Sequence, residues 1–309
     1  MKILFAIITL IVCSTIYCQQ FEYVYKNKSD STSNCYVKVI PNSQSIRGLV
    51  IRDYSALPNF AVPSPHQFTS LCSNEGLMTL YTVSSKNFPE FFTSDETIAV
   101  LDEMVYEVVQ EHKIPITNIF IGGISASGTR ALRYAQYCQQ GKSKHGIQIK
   151  GVFSVDSPLD LARFYESVHK HRHHFKEGML WEAELMKPVF EQLFSGSPTK
   201  YEEEFRNASV FSHSDDSGGN AVSLKNVKII LFHEPDIEWW MNERGCSYFD
   251  INSYDIVAFT LKLRSLGNKN VELITTTQKG FDRQGNRNCH SWTIVDEVYL
   301  TNWITQQLE

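Results

Sequence analysis

Apolar residues along this chain fall into two recurring patterns, and their alternation predicts the fold class. Short, nearly continuous apolar runs occur at Cys35 to Ile40, Gly48 to Arg52, Leu77 to Val83, Asn118 to Gly122, Ile149 to Val155, Val227 to His233 and Val271 to Thr276. Runs of this kind suit strands covered on both faces. Between them lie stretches of helical period. From Asp95 to Lys113, the residues Ile98, Leu101, Met104, Val105 and Val108 share one face, Ser94 or Asp95 supplies an N-cap, and Pro115 stands just past the end. Ser127 to Gln140, closed by Gly141, Ser253 to Leu266, closed by Gly267, and Trp292 to Gln307 read as further helices. Strand and helix in alternation predict an α/β fold with a mostly parallel sheet.

The stretch between Asp156 and Val227 breaks the rhythm. It has helix-like pieces at Leu159 to His169 and Trp181 to Phe194 but no strand, and so long a structureless loop would be unusual. It reads as a helical cap, residues 157–224, inserted into a single domain of residues 19–309.

The start of the chain is different again. Lys2, the apolar run Ile3 to Cys13 and the small and polar residues up to Cys18 read as an export signal. A lipoprotein signal acylated at Cys18 is the alternative, although Thr15-Ile16-Tyr17 is a poor approach to such a cysteine. No later segment is apolar for long enough to span a membrane, so a soluble secreted or periplasmic protein is expected.

Composition narrows the possibilities. With 309 residues, 42% hydrophobic and 20% charged, the chain can bury a large core, which excludes wholesale disorder and small disulfide scaffolds. Its 34 acidic and 29 basic residues offer no footprint for nucleic acid.

The candidate chemistry lies at Gly123-Ile124-Ser125-Ala126-Ser127-Gly128, between a predicted strand and a predicted helix. A serine on a strained strand-to-helix turn needs small residues two positions to either side, and Gly123 and Ser127 meet that need. The pattern is G-x-S-x-S where G-x-S-x-G is usual. In this respect the chain resembles the α/β-hydrolase superfamily, and the likeness to secreted esterase-like members from Bacteroidota extends over Gly128-Thr129-Arg130-Ala131-Leu132-Arg133-Tyr134-Ala135, Asp156-Ser157-Pro158-Leu159-Asp160 and Glu234-Pro235-Asp236.

The resemblance implies a nucleophile, an acid and a histidine in that order along the chain. Ser125 is the nucleophile. The acid is expected after the next but one strand, where Asp236 is chosen over Glu234, Glu238 and Asp250. His290 stands after the last strand and before the last helix. The oxyanion donors expected are the N–H groups of Ala126 and of Tyr54, in the loop after Gly48 to Arg52, which lacks a His-Gly-Gly motif. A carboxylic-ester hydrolase acting on a small-molecule or carbohydrate-linked ester, with no cofactor and no metal, is the implied function. The alternatives are a prolyl-oligopeptidase-like serine peptidase, against which the lack of a propeller-sized N-terminal segment counts, and an inactive relative that binds in the cap cleft.

Once Cys13 and Cys18 leave with the signal, an odd number of cysteines remains. The expected fold brings Cys246 and Cys289 to one end of the sheet, which predicts a bridge beside the acid and base loops. Cys35 and Cys72 form a weaker second pair, and Cys138 reads as a buried thiol. The tract His169-Lys170-His171-Arg172-His173-His174 reads as a solvated helix face and not as a metal site. Trp239, Trp240 and Trp292 flank the expected triad and read mainly as packing residues.

Overall fold

A computed structural model of the chain describes residues 20–27, 29–43, 45–62 and 66–308. The segment read as an export signal lies outside the described residues. The strands are β1 (Gln20–Asn27), β2 (Asp30–Ile40), β3 (Gly48–Asp53), β4 (Leu77–Val83), β5 (Ile119–Ile124), β6 (Ile149–Val155), β7 (Lys228–His233) and β8 (Val271–Thr275). They form one sheet in the order β1-β2-β4-β3-β5-β6-β7-β8. From β4 to β8 every pairing is parallel, and β2 runs antiparallel to both of its neighbours. β3, β4 and β5 bury nearly every residue, as their continuous apolar runs predict. β1 escapes the sequence pattern because it is an edge strand with no buried residue, Tyr23 and Tyr25 being 38% and 44% exposed.

The helices are α1 (Phe68–Asn74), α2 (Asp95–His112), α3 (Ala126–Gln139), α4 (Leu161–Glu166), α5 (Glu177–Leu193), α6 (Glu202–Ala208), the single turn α7 (Ile237–Trp239), α8 (Ser253–Ser265) and α9 (Glu297–Thr305). α2, α3 and α8 supply residues such as Leu101, Leu132 and Phe259 to the core on one face of the sheet. α1 and α9 pack Phe68, Leu300 and Trp303 against the other. α2 begins where the Ser94 hydroxyl accepts the Thr97 N–H at 3.4 Å, and it stops at Lys113, which adopts φ 53°. The predicted final helix divides in two. Ser291 caps a 3₁₀ turn at Trp292–Ile294, and Asp296 then caps α9 by accepting the Tyr299 N–H at 2.9 Å.

Between β6 and β7 the chain forms α4, a π-helical turn at Ser167–His171, α5 and α6. These elements share their own apolar cluster, including Phe164, Met186, Phe190 and Phe205, distinct from the clusters on the faces of the sheet. Among the described residues, no helix is long and apolar enough to cross a membrane.

The sheet topology also fixes where a site can form. After β3 the chain adds β4 on one side and then crosses to place β5 on the other, so loops leave the carboxyl ends of β3 and β5 in opposite directions. The crevice that opens at such a switch point is the usual ligand site of an open α/β sheet.

Candidate active site

Ser125 caps β5 at this switch point with φ 56° and ψ −133°, a conformation that costs a non-glycine residue roughly 1–3 kcal/mol. The turn is held by the Ser125 N–H, which donates to the Val155 carbonyl at 2.9 Å. Its crowding is concrete: a Cβ added to Gly123 would stand 2.3 Å from Ser127 Oγ, and one added to Gly128 would stand 2.1 Å from Ser157 Oγ. Ser127 does more than fit. Its hydroxyl donates to the Asp53 carbonyl oxygen at the end of β3, so the departure from glycine at this position ties the elbow to the neighbouring loop. Arg130, one turn further along α3, donates to the same carbonyl at 2.7 Å and pairs with the Asp53 carboxylate at 3.1 Å.

His290 Nδ1 lies 2.6 Å from Asp156 Oδ2. Asp156 sits at the carboxyl end of β6 with φ 44°, and its side chain is fully buried. Its other oxygen, Oδ1, is 2.9 Å from Nδ1 of His233 at the end of β7, and His233 Nε2 meets the Ser253 hydroxyl at the start of α8. Burial opposes ionisation of Asp156, but the two imidazoles outweigh it and hold the carboxyl well below the usual range. Burial likewise pushes His290 down, and Asp156 reverses the sign, leaving the imidazole above its ordinary value.

Ser125 and His290 open onto one cleft with two lobes, of about 230 Å³ and 340 Å³. Ser125, His290, Pro158, Trp181 and Glu182 line both lobes. Among the described residues no hydrogen bond joins the Ser125 hydroxyl to His290, and unliganded sites often tighten only when substrate is bound.

No protein-family model matches the chain, and no curated relative matches it in sequence. Solved structures do. The acylaminoacyl peptidase of Pyrococcus horikoshii aligns over 97% of this chain with TM-score 0.56 and 13% identity. A putative dipeptidyl aminopeptidase IV from Bacteroides ovatus aligns over 94% with TM-score 0.54 and 10% identity, and an esterase from Rhizomucor miehei over 94% with TM-score 0.51 and 13% identity. The chain has the α/β-hydrolase fold. It spans 42% of the length of the Pyrococcus peptidase, 35% of the Bacteroides protein and 82% of the Rhizomucor esterase.

Within this α/β-hydrolase fold, several sequence expectations are redirected. Asp236 does not face His290. It caps α7 by accepting the Trp239 N–H at 3.0 Å and pairs with Arg287 Nη1 at 2.6 Å. The same guanidinium reaches Glu234 at 2.9 Å, so Arg287 straps the loop after β7 to the loop that carries His290. The Tyr54 N–H is not available to an oxyanion, because it donates to the Thr82 carbonyl at 2.9 Å and extends the β3–β4 ladder. The next residue, Ser55, lines the larger lobe, as does Ala126 at the first turn of α3.

The five described cysteines, Cys35, Cys72, Cys138, Cys246 and Cys289, are free and buried, so neither predicted bridge is formed. Cys35 lies on β2, while Cys72 on α1 packs into the cluster on the α1–α9 face. Cys246 and Cys289 do share one apolar cluster, and burial pushes both thiols up to about 12. Cys289 Sγ also lies within 4.8 Å of oxygens of Glu234 and Asp236, both of which already pair with Arg287.

The histidine tract disperses to separate partners, with His169 on the Tyr165 carbonyl at 2.9 Å and His171 on Asp250 at 2.8 Å. Of the three tryptophans, Trp240 lines the smaller lobe with its ring 6.2 Å from that of His290. Trp292 packs over Arg52 at 3.8 Å, and Trp239 lies beside the apolar cluster of α4, α5 and α6. The residues the pattern missed are Asp156, His233, Trp181 and Glu182. Asp156 was in view as the first residue of Asp156-Ser157-Pro158, directly after a correctly predicted strand, and its position at that strand tip was the available signal.

Proposed function

We propose that this protein is an exported serine hydrolase that cleaves carboxylic esters through an acyl-enzyme, with Ser125, His290 and Asp156 as its triad. The observation that carries the reading is the placement of Ser125, on a strained strand-to-helix turn, in one cleft with a histidine bonded to a buried carboxylate. Ser125 at its free pKa is a weak nucleophile. With Nδ1 engaged by Asp156, His290 keeps Nε2 for the serine proton. It accepts that proton as the Ser125 oxygen attacks the substrate carbonyl and returns it to the departing alcohol. Water then repeats the sequence on the acyl-enzyme and releases the acid. Asp156 fixes the imidazole tautomer and stabilises the imidazolium formed in each half-reaction.

The tetrahedral oxyanion takes the Ala126 N–H at the start of α3, where a helix leaves amides unpaired. The second donor assigned here is the Ser55 N–H, which has no acceptor among the described residues and belongs to a residue lining the cleft. The segment 157–224 acts as the cap that shapes the substrate cavity, and residues 1–18 act as the export signal. Peptidase structures among the likenesses supply a second reading, with an amide in place of the ester.

Labelling with a fluorophosphonate tests the reading. The unmodified protein is expected to react and Ser125→Ala to be silent, with His290→Ala and Asp156→Asn strongly slowed. An unlabelled native protein would sink the proposal. Comparison of p-nitrophenyl esters with aminoacyl anilides then divides ester from amide hydrolysis.

A further inference from the structure

Glu182 projects from α5 into both lobes of the cleft, half-buried beside Ser125 and His290. The other carboxylates around the site have partners: Asp53 has Arg130, Asp156 has two imidazoles, Asp250 has Ser167, Ser247 and His171, and Glu234 and Asp236 share Arg287. Among the described residues, no hydrogen bond or ion pair reaches the Glu182 carboxylate. Partly desolvated and unpaired, it is costly for the empty protein, and a cation arriving with a ligand would offset that cost.

The larger lobe suits such a cation. Its one arginine, Arg130, is already balanced by Asp53, so Glu182 gives the lobe a negative character. Its walls include Phe88, Phe91 and Trp181, and Trp181 and Phe88 remain 61% and 58% exposed. Aromatic faces beside a carboxylate are the usual surroundings of a bound organic ammonium. The smaller lobe is different, because Arg244 lines it and has no ion-pair partner among the described residues. Glu182 and Asp250 line the smaller lobe too, but there Arg244 competes with an arriving cation, so a cationic group is directed to the larger lobe, where Arg130 is already paired with Asp53.

We propose that Glu182 makes the site selective for substrates that carry a protonated amine, held in the larger lobe between the carboxylate and the aromatic walls while the scissile carbonyl rests at Ser125. Burial pushes the empty Glu182 carboxyl up, and a bound ammonium would hold it ionised.

The inference rests on the hydrolase reading, and two independent readouts keep their failures apart. Fluorophosphonate labelling scores the reading. Calorimetric binding of benzylammonium against benzyl alcohol to the full chain scores the inference, with kcat/KM for p-nitrophenyl 6-aminohexanoate against the heptanoate as its kinetic counterpart. Both ratios are expected to favour the cation by about tenfold or more, the range of a charged hydrogen bond. They should fall toward parity in Glu182→Gln and be retained in Glu182→Asp. A protein that is labelled yet treats each pair alike overturns the inference and leaves the hydrolase reading standing. A protein that prefers benzylammonium but is never labelled keeps the ammonium site and loses the hydrolase. Equal losses for charged and neutral members in Glu182→Gln would show that Glu182 acts through His290 and would overturn the inference too.

Discussion

Asp156 Oδ2 lies 2.6 Å from His290 Nδ1, so the carboxylate that orients the candidate base comes from the end of β6, one strand earlier than the position the sequence order suggests. The loop after β7, where an acid was expected, instead contributes His233 to the second oxygen of the same carboxylate and gives Asp236 to Arg287.

The two aspartates should therefore separate cleanly. Asp156→Asn leaves the carboxylate's space filled but offers the imidazole the wrong partner, and kcat is expected to drop by about 10⁴. Asp236→Asn should leave kcat within a few-fold and keep the cap, costing at most about 1 kcal/mol in denaturant unfolding through the lost ion pair with Arg287. The reverse ranking would restore Asp236 as the acid.

The pH profile follows from the sign of the His290 shift. Asp156 raises the imidazole above 6.5, the groups facing it also include Glu182 and Arg244, and the base works only when neutral. The rate kcat/KM is expected to rise with pH, with its inflection on the alkaline side of 6.5. Folding stability runs the other way for this group: its contribution is complete below 6.5 and is lost as pH rises through the folded value. The depressed Asp156 contributes above 3.8 and loses that contribution as pH falls. A pH–rate series and denaturant titrations across the same range measure both.

Thiol titration decides the cysteine question. Unfolded without reductant, the chain of residues 19–309 is expected to show five reactive thiols, because Cys35, Cys72, Cys138, Cys246 and Cys289 are free. Three would restore one bridge, and one would restore both.

Arg287 is the predicted stability hot spot outside the core. Glu234 is 1% exposed, and Arg287→Ala would leave its charge buried without a cation. The expected cost is about 3 kcal/mol in urea unfolding. Arg287→Lys should recover only part, since one ammonium cannot reproduce the fork that meets Glu234 and Asp236.

Much of this was readable from residue order because the parallel strands and the elbow rest on local signals. Continuous apolar runs set β3 to β8 to within a residue or two, and small residues around Ser125 marked the turn. His290 was locatable because, of the ten histidines, it alone follows the last strand and precedes the last helix. The acid was not, because Asp156 and Asp236 both follow strands, and only the three-dimensional path of the His290 loop decides which carboxylate it meets. Tyr54 failed for a similar reason: nothing in Arg52-Asp53-Tyr54 shows that the ladder with β4 runs one amide further than the apolar run. Glu182 is invisible in sequence because it is an ordinary glutamate on an amphipathic helix until the fold turns that face toward Ser125.

A corner fastened by Arg287, Glu234 and Asp236 behaves differently from one fastened by sulfur. Such a tether can part and re-form within the lifetime of the folded protein, with no electron acceptor involved. A reductant would leave it untouched, whereas guanidinium ions, chemical copies of the arginine head group, compete for the same two carboxylates. The loop bearing His290 is thus held by a reversible latch, and guanidinium chloride should loosen it at concentrations below those that melt the sheet.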